Sequence, residues 1–326
     1  MHSPSRTRGG AYVVALREAG FAVRWLPKRG APARGGLDRL RFAAEKRART
    51  MRQWAALARA RGVVYVQRQV LPQAVLGHLH RRGVPLVYDF DDALFLVDEA
   101  SVGRMVRAAA AVIVASPELA GFCEAHGKMP VIIPTPVETD RIVPAAHPPT
   151  MSTVGWIGSP WTTPYLALVA DVLVALARRL PLRVRLVGAA DPPPMPGVDV
   201  EVLPWTFEGE AAALAGMSVG IMPLPDEAWA AGKGAYKLYQ YMAAGLPVVA
   251  SPVGINRQVV EDGRNGFLAA TPGDWAAALE RLTHDPTLAR QLGAEGRRHA
   301  ETRYSRTVCA GRLVEILRSV LERGPA

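Results

Sequence analysis

The sequence predicts an α/β protein made of two parallel sheets, each covered by helices on both faces. Three observations carry this. Short, continuously apolar runs recur along the chain, and helix-length segments separate them. Strands that are apolar throughout are buried on both faces, as parallel strands are. The alternation halts at Pro144-Ala-Ala-His-Pro-Pro149 and then begins again, as at a linker. The chain has 326 residues, enough for two domains that each bury a core.

The first series places strands at 22–26, 63–66, 85–88, 111–115 and 131–133, with helices near 39–61, 72–82, 98–109 and 117–126. The second places strands at 153–157, 183–187, 199–203, 219–222, 247–250 and 266–268. Its helices lie near 164–179, 209–216, 234–244, 255–262, 273–283 and 285–302. Strands alternating with helices in this way form βαβ units, so each series is Rossmann-like. The expected domains are 1–147 and 148–303, and an amphipathic helix within 304–326 is expected to pack back towards the first. A Rossmann-like domain starts with a central strand, but residues 1–8 are polar and a helix begins near Gly10. The first N-terminal strand is therefore expected to be missing, through a late start codon or a truncation.

Composition narrows the class. Hydrophobic residues are 49% and charged residues 21%, which is globular and not disordered. No apolar run is read as reaching the ~18 residues of a membrane helix, and MHSPSRTRGG lacks the apolar core of a secretory signal. Two separate cysteines, Cys123 and Cys309, argue against a disulfide framework or a zinc site and fit a reducing, cytoplasmic setting. The histidines are scattered, and none forms a metal pair with a carboxylate at helical spacing.

The net charge of +10 is concentrated. Residues 28–61 hold eleven Lys/Arg against Asp38 and Glu45. Met51, Trp54 and Leu57 form an apolar stripe at helical spacing within the predicted helix 39–61. Such a helix can lie on an anionic membrane surface, at about 1 kcal/mol per basic residue. The alternative is a core-facing helix with a solvated basic face. Aromatic residues are too sparse there for nucleic acid.

Ligands in open α/β sheets sit beyond the carboxyl ends of strands. The strand ending at Met222 leads through a loop to Gly232-Lys233-Gly234 and then a helix that stops at Gly245. Glycines at a helix start admit an anion to backbone N–H groups, the helix dipole favours negative charge, and Lys233 and Lys237 add formal charge. This reads as a pyrophosphate site; the plainer alternative is a glycine-punctuated loop with solvated lysines.

The stretch GKGAYKLYQYMAAGLPVVASPVG, from Gly232 to Gly254, resembles the donor-binding region of retaining GT-B glycosyltransferases, the group 1 (family 4-like) enzymes. The likeness extends to Val259-Val-Glu-Asp-Gly-Arg-Asn-Gly-Phe267 and Val154-Gly-Trp-Ile-Gly-Ser-Pro-Trp161, and more weakly to 65–69, 87–95 and 115–118. It implies a GT-B fold, two Rossmann-like domains facing across a cleft. It implies a nucleotide-diphospho-sugar donor, a carbohydrate or lipid-linked acceptor, retention of configuration, and no metal or other cofactor. By the resemblance the donor side comprises Gly158, Ser159, Gly232, Lys233, Gly234, Lys237, Gln240 and Gly254. There is no covalent nucleophile; the leaving diphosphate helps to deprotonate the acceptor, and the protein positions groups and stabilises charge. A role in envelope polysaccharide or glycolipid assembly, at the inner face of the membrane, is the accompanying expectation.

The chain departs from the family where two glutamates are usual. Gly232 and Gln240 stand there, and Gln240 meets a ribose diol only as a neutral group. The loop Gly158-Ser-Pro-Trp161 also lacks the usual Arg and Lys, so Lys233 or Lys237 is expected to replace that charge. Loss of the acidic pair leaves open a non-catalytic, nucleotide- or carbohydrate-binding relative.

Asp89-Phe-Asp-Asp92 follows a strand and has several readings. A DxD can hold a divalent metal, and Asp89 with Asp91 resembles the nucleophile loop of haloacid-dehalogenase-like phosphatases. The reading preferred beside the GT-B resemblance turns the carboxylates towards acceptor or leaving group, with Asp91, Asp92 and Lys233 as the catalytic candidates. A solvated acidic turn is the plain alternative. Arg6, Arg8, Arg68 and Asp89 are the acceptor-side candidates, the arginines set against a reading as ordinary surface residues.

Overall fold

The computed structural model describes residues 5–26, 37–146 and 152–324, without the side chains of 5–7, 37–46 and 49. The chain divides into two compact units, 1–135 with 309–326, and 136–308.

In the first unit a π turn, Ser5–Gly10, leads into α1 (Ala11–Glu18). There follow α2 (Leu37–Ala58), β1 (Val64–Gln67), α3 (Gln73–Arg81), β2 (Leu86–Phe90), α4 (Glu99–Ala108), β3 (Ala111–Val114), α5 (Pro117–Ala125) and β4 (Val131–Ile132). The four strands are parallel and adjacent in chain order, with Val66 opposite Tyr88 and Asp89 opposite Ile113. Local chemistry sets the helix starts. Asp98 accepts the Ser101 N–H at 3.1 Å before α4, and Ser116 caps α5 ahead of Pro117.

Residues 21–26 do not form a strand. Among the described residues no neighbouring strand offers them a ladder, and an unpaired strand has no stability of its own. Phe21 and Val23 pack instead on a core of Tyr12, Leu16, Val87, Ile113 and Ile133. The same core takes Leu313, Leu317 and Val320 from α13 (Arg306–Arg323), the closing helix.

The second unit contains β5 (Ser152–Ile157), α6 (Ala167–Ala177), β6 (Leu182–Val187), β7 (Asp199–Leu203), α7 (Glu210–Ala215), β8 (Val219–Met222), α8 (Ala228–Ala231) and α9 (Tyr236–Ala243). It continues with β9 (Val248–Ala250), α10 (Asn256–Val259), β10 (Gly266–Leu268), α11 (Pro272–His284) and α12 (Pro286–His299). The six parallel strands run β10-β9-β8-β5-β6-β7, with an apolar core on each face of the sheet. The order reverses between β5 and β8, whose Gly155 and Gly220 lie opposite each other.

Two expectations need correction. The stretch Pro160–Ala177 is apolar and long enough to cross a membrane by length and composition. Its α6 part, however, buries Val169, Leu173 and Leu176 in the core of this unit. The join expected at 144–149 lies inside the second unit, not between the units. Val137 bridges to Ser305, Ile142 is buried in the core, and Arg297 donates to the carbonyls of Thr139 and Ile142 at 2.8 and 2.7 Å. Those contacts bind 137–142 to α12 and the turn after it, so the boundary falls at Thr135.

Candidate functional site

The reversal of strand order between β5 and β8 makes their two following loops diverge, and the gap between such loops is where an α/β sheet takes a ligand. The loop after β5 turns through Gly158 and Ser159 into a 3-10 segment, Pro160–Leu166. The loop after β8 runs through α8 to α9. One side chain ties them: the Lys237 ammonium donates to Thr162 Oγ1 at 3.2 Å and lies 4.2 Å from the Trp156 ring centre. Thr162 in turn donates to the Ser159 carbonyl at 3.1 Å. A Cβ at Gly158 would stand 2.3 Å from the Trp156 ring and 2.8 Å from Lys237 Nζ, so only glycine admits this arrangement.

Lys237 has no carboxylate partner among the described residues. Burial, with the nearby Lys233 charge, lowers its pKa to about 7. A cation held against an indole and a hydroxyl, with no counterion, is complementary to a bound anion. The Lys233 ammonium lies 5.8 Å from the centre of the Trp229 ring.

The glycine loop differs from its expected form. The helix begins at Tyr236, not at Gly234. The N–H groups of Gly232 and Lys233 close the end of α8 by donating to Ala228 and Ala230 carbonyls, both at 3.2 Å, so they are not aimed at a ligand. The N-terminus of α9 follows Ala235, which is left-handed at φ 54° and leaves the helix without a side-chain cap. Gly254 supports this loop from below. Its φ is +53°, and a Cβ there would lie 2.2 Å from the Ala231 carbonyl oxygen.

Gln240 was expected to face a ribose. It is 3% exposed and donates to Glu210 Oε1 at 2.6 Å. Glu210 is itself buried, takes the Trp205 indole N–H at 3.0 Å and pairs with Arg141. The acid of this region therefore comes from α7 and not from α9. Sequence reasoning missed Glu210, Thr162 and Trp156. The signal for Glu210 was present: it is the lone charge in the otherwise apolar helix Glu210–Ala215.

In the first unit the sequence set Arg8 and Asp89 towards an acceptor; the structure sets them against each other. Both are wholly buried, with Arg8 Nε 2.8 and 2.9 Å from the two Asp89 oxygens and Nη2 at 2.8 Å. Tyr65 donates to Asp89 as well. Burial raises the Asp89 pKa, while Arg8 pulls it back down. Neither side chain is at the surface, and neither Asp89 oxygen is presented to a substrate, which also removes Asp89 as a phosphatase-like nucleophile.

Asp91 and Asp92 are partly exposed at the carboxyl end of β2. Arg68 spans them, with Nη1 3.4 Å from Asp91 Oδ1 and Nη2 2.5 Å from Asp92 Oδ2. Arg68 sits at φ 56°, a strained conformation for a side-chain-bearing residue, and such strain concentrates at functional sites. Arg6 lies on the opening π turn, and its side chain is outside the described residues. Asp91 and Asp92 belong to the first unit and Lys233 to the second.

One further cluster corrects the expectation that no histidine pairs with a carboxylate at helical spacing, since Glu295 and His299 stand four residues apart on α12. Glu261, Glu295 and His299 hold ligand atoms within 4.8 Å of one another. Both carboxylates are already paired, Glu261 with Arg264 and Arg303, Glu295 with Arg264 and Arg298. It is a salt-bridge cluster that fastens the β10 turn to α12.

Residues 149–285 match the family model described as Glycosyl transferases group 1, a stretch that holds the whole β5–β8 site. A D-inositol 3-phosphate glycosyltransferase of Thermobispora bispora is 40% identical over 83 residues, covering 25% of this chain and 19% of that protein. The chain thus spans about a fifth of this curated relative in the aligned stretch. Among solved structures, the sucrose-phosphate synthase of Thermosynechococcus elongatus superposes with a TM-score of 0.65 at 17% identity, over 91% of this chain and 83% of that one. Anabaena HepE in complex with UDP-glucose gives 0.63 at 16% identity, over 94% and 88%. The fold, an α/β chain with two parallel sheets, is that of GT-B glycosyltransferases.

Proposed function

We propose that this chain is a retaining glycosyltransferase, moving a hexose from a nucleotide-diphospho-sugar to a carbohydrate or lipid-linked acceptor. The observation that carries the reading is Lys237: a cation without a counterion at the β5–β8 switch point, inside the stretch that matches group 1 glycosyltransferases. Its role is to receive the donor diphosphate and the charge that develops on it as the glycosidic bond breaks. Lys233 and the uncapped start of α9 add to that field. Glu210 holds Gln240 and the α7–α9 packing in place. On the first unit Arg68 fixes Asp91 and Asp92, which face the acceptor hydroxyl in this reading. Binding of UDP and UDP-glucose by HepE makes a uridine nucleotide the first donor to try.

The reading requires no metal. It is tested by transfer assays across nucleotide sugars with and without EDTA. Turnover of at least one donor, insensitive to EDTA and lost in Lys237→Ala, supports it. Donor binding without turnover would favour a non-catalytic, ligand-binding relative, the second reading that the absent acidic pair motivates. Turnover abolished by EDTA and restored by magnesium would overturn the metal-free part.

A peripheral place at the inner membrane face is part of the proposal. Met51 is 61% and Trp54 42% exposed on α2, so these two side chains of the apolar stripe are open to solvent, while Leu57 is half-buried. Arg52, Arg59 and Arg61 lie beside it in sequence. Flotation with anionic vesicles should fall with salt and with Met51→Ser/Trp54→Ser; absence of binding at low salt would remove this part.

A further inference from the structure

At the amino ends of β2 and β3, the opposite end of the strands from Asp91 and Asp92, the first unit holds an open cavity of about 490 Å³ between α3 and α4. Its walls carry Leu76, Leu79 and Leu86, and Arg104, Arg107 and Lys128 also line it. No Asp or Glu is among its lining residues. Arg104 and Arg107 stand one turn apart on α4, so their guanidinium groups share a helix face. Among the described residues none of the three cations forms a salt bridge, although Arg104 lies near enough to Asp98 to help the Ser101 hydrogen bonds hold its carboxyl below the usual range. Arg104 donates to Ser101 Oγ at 2.9 Å, and its buried Nε has no hydrogen-bond partner.

Arg104 and Lys128 are half-buried and Arg107 is exposed at the rim of one cavity, and an anion bound there would offset the repulsion among like charges. A buried donor without an acceptor is costly for the same reason. Both costs vanish with a ligand whose head is a compact dianion and whose body is apolar. A phosphate monoester carries close to two charges and three acceptor oxygens, matching two guanidinium groups and an ammonium. We propose that this cavity binds a phosphate monoester bearing an apolar group, with its phosphate on Arg104, Arg107 and Lys128 and its apolar body against Leu76, Leu79 and Leu86. The site is separate from the donor site of the second unit and does not rest on the transferase reading. Its ligand comes either from a lipid headgroup or from a soluble phosphorylated compound.

The test is calorimetric titration at low salt with monomeric dihexanoyl phosphatidate and, separately, inorganic phosphate. Flotation on phosphatidylcholine vesicles with and without phosphatidate, in the Met51→Ser/Trp54→Ser background, separates the two sources. The wild type should bind dihexanoyl phosphatidate more tightly than phosphate, and Arg104→Gln/Arg107→Gln should weaken it by about tenfold or more. Arg107→Glu, at an exposed position, gives the same loss if the double variant folds poorly. A wild-type circular dichroism spectrum and a cooperative melting transition show that the variants remain folded. Phosphatidate-dependent flotation lost in these variants assigns the lipid source; binding of the monomeric compound alone assigns the soluble one, and either upholds the site. No binding by the wild type, equal affinity for inorganic phosphate, or full affinity in the variants overturns it.

Discussion

The side-chain amide of Gln240 donates to the carboxylate of Glu210 at 2.6 Å, in a buried setting completed by Trp205 and Arg141. A glutamate at 240 would set two carboxylates against each other, and one would hold its proton. A carboxyl whose folded pKa is raised makes stability fall as pH rises above the unfolded value. Gln240→Glu should therefore cost about 2 kcal/mol at pH 8 and less at pH 5. Urea unfolding at the two pH values checks this, and a cost that does not change with pH would contradict it.

Lys237 makes donor affinity depend on pH. Its pKa, lowered to about 7 by burial and then by Lys233, means that it must take up a proton to meet a diphosphate in alkaline solution. Affinity for a nucleotide sugar should fall above pH 7, by up to about tenfold per unit. A nucleotide sugar is the right probe because its diphosphate diester has no second ionisation in that range. Lys237→Arg should bind with little pH dependence, and a wild-type affinity flat from pH 6.5 to 9 would contradict the assignment.

The same residue trades stability for binding. Between pH 7 and its ordinary pKa the unfolded chain binds the Lys237 proton more tightly than the folded one, so stability rises with pH over that window. Lys237→Met should raise stability at pH 7 by on the order of 1 kcal/mol while abolishing donor binding. Melting curves with and without nucleotide sugar measure both effects at once.

Arg8 and Asp89 form a wholly buried pair. Arg8→Met leaves a buried carboxylate without its cation and should cost about 3–5 kcal/mol. Asp89→Asn in that background removes the stranded charge and should recover part of the loss. A double variant as unstable as the sum of the single ones would show that the two residues do not act as a pair.

Gly254→Ala should disturb the glycine loop. The backbone conformation costs about 1–2 kcal/mol for a residue with a Cβ, before the approach to the Ala231 carbonyl is counted. Lower stability and weaker nucleotide-sugar affinity are expected together. Loss of stability alone would separate Gly254 from the site.

Strands such as Val219–Met222 were legible because a fully buried strand is apolar at every position, a local property. Residues 22–26 are apolar but for Arg24, yet a strand needs a partner, and pairing is not encoded locally. The site divides in the same way. Lys233, Lys237 and Gly254 stand out by composition near a helix start. The Arg8–Asp89 pair joins residues 81 apart, and Glu210 meets Gln240 across 30. Side-chain types at those positions suggested ligand contacts, whereas burial turned them inward to satisfy each other.

The placement of α13 has a consequence for biosynthesis. Leu313, Leu317 and Val320 complete a core that also holds Tyr12, Leu16, Val87, Ile113 and Ile133 from far earlier in the chain. As translation runs, the 136–308 unit is contiguous and can close as it emerges, since domains fold as units during synthesis. The first unit must hold an uncovered apolar face until its final helix leaves the ribosome. Within this sequence the unit that starts first is therefore completed after the unit that follows it.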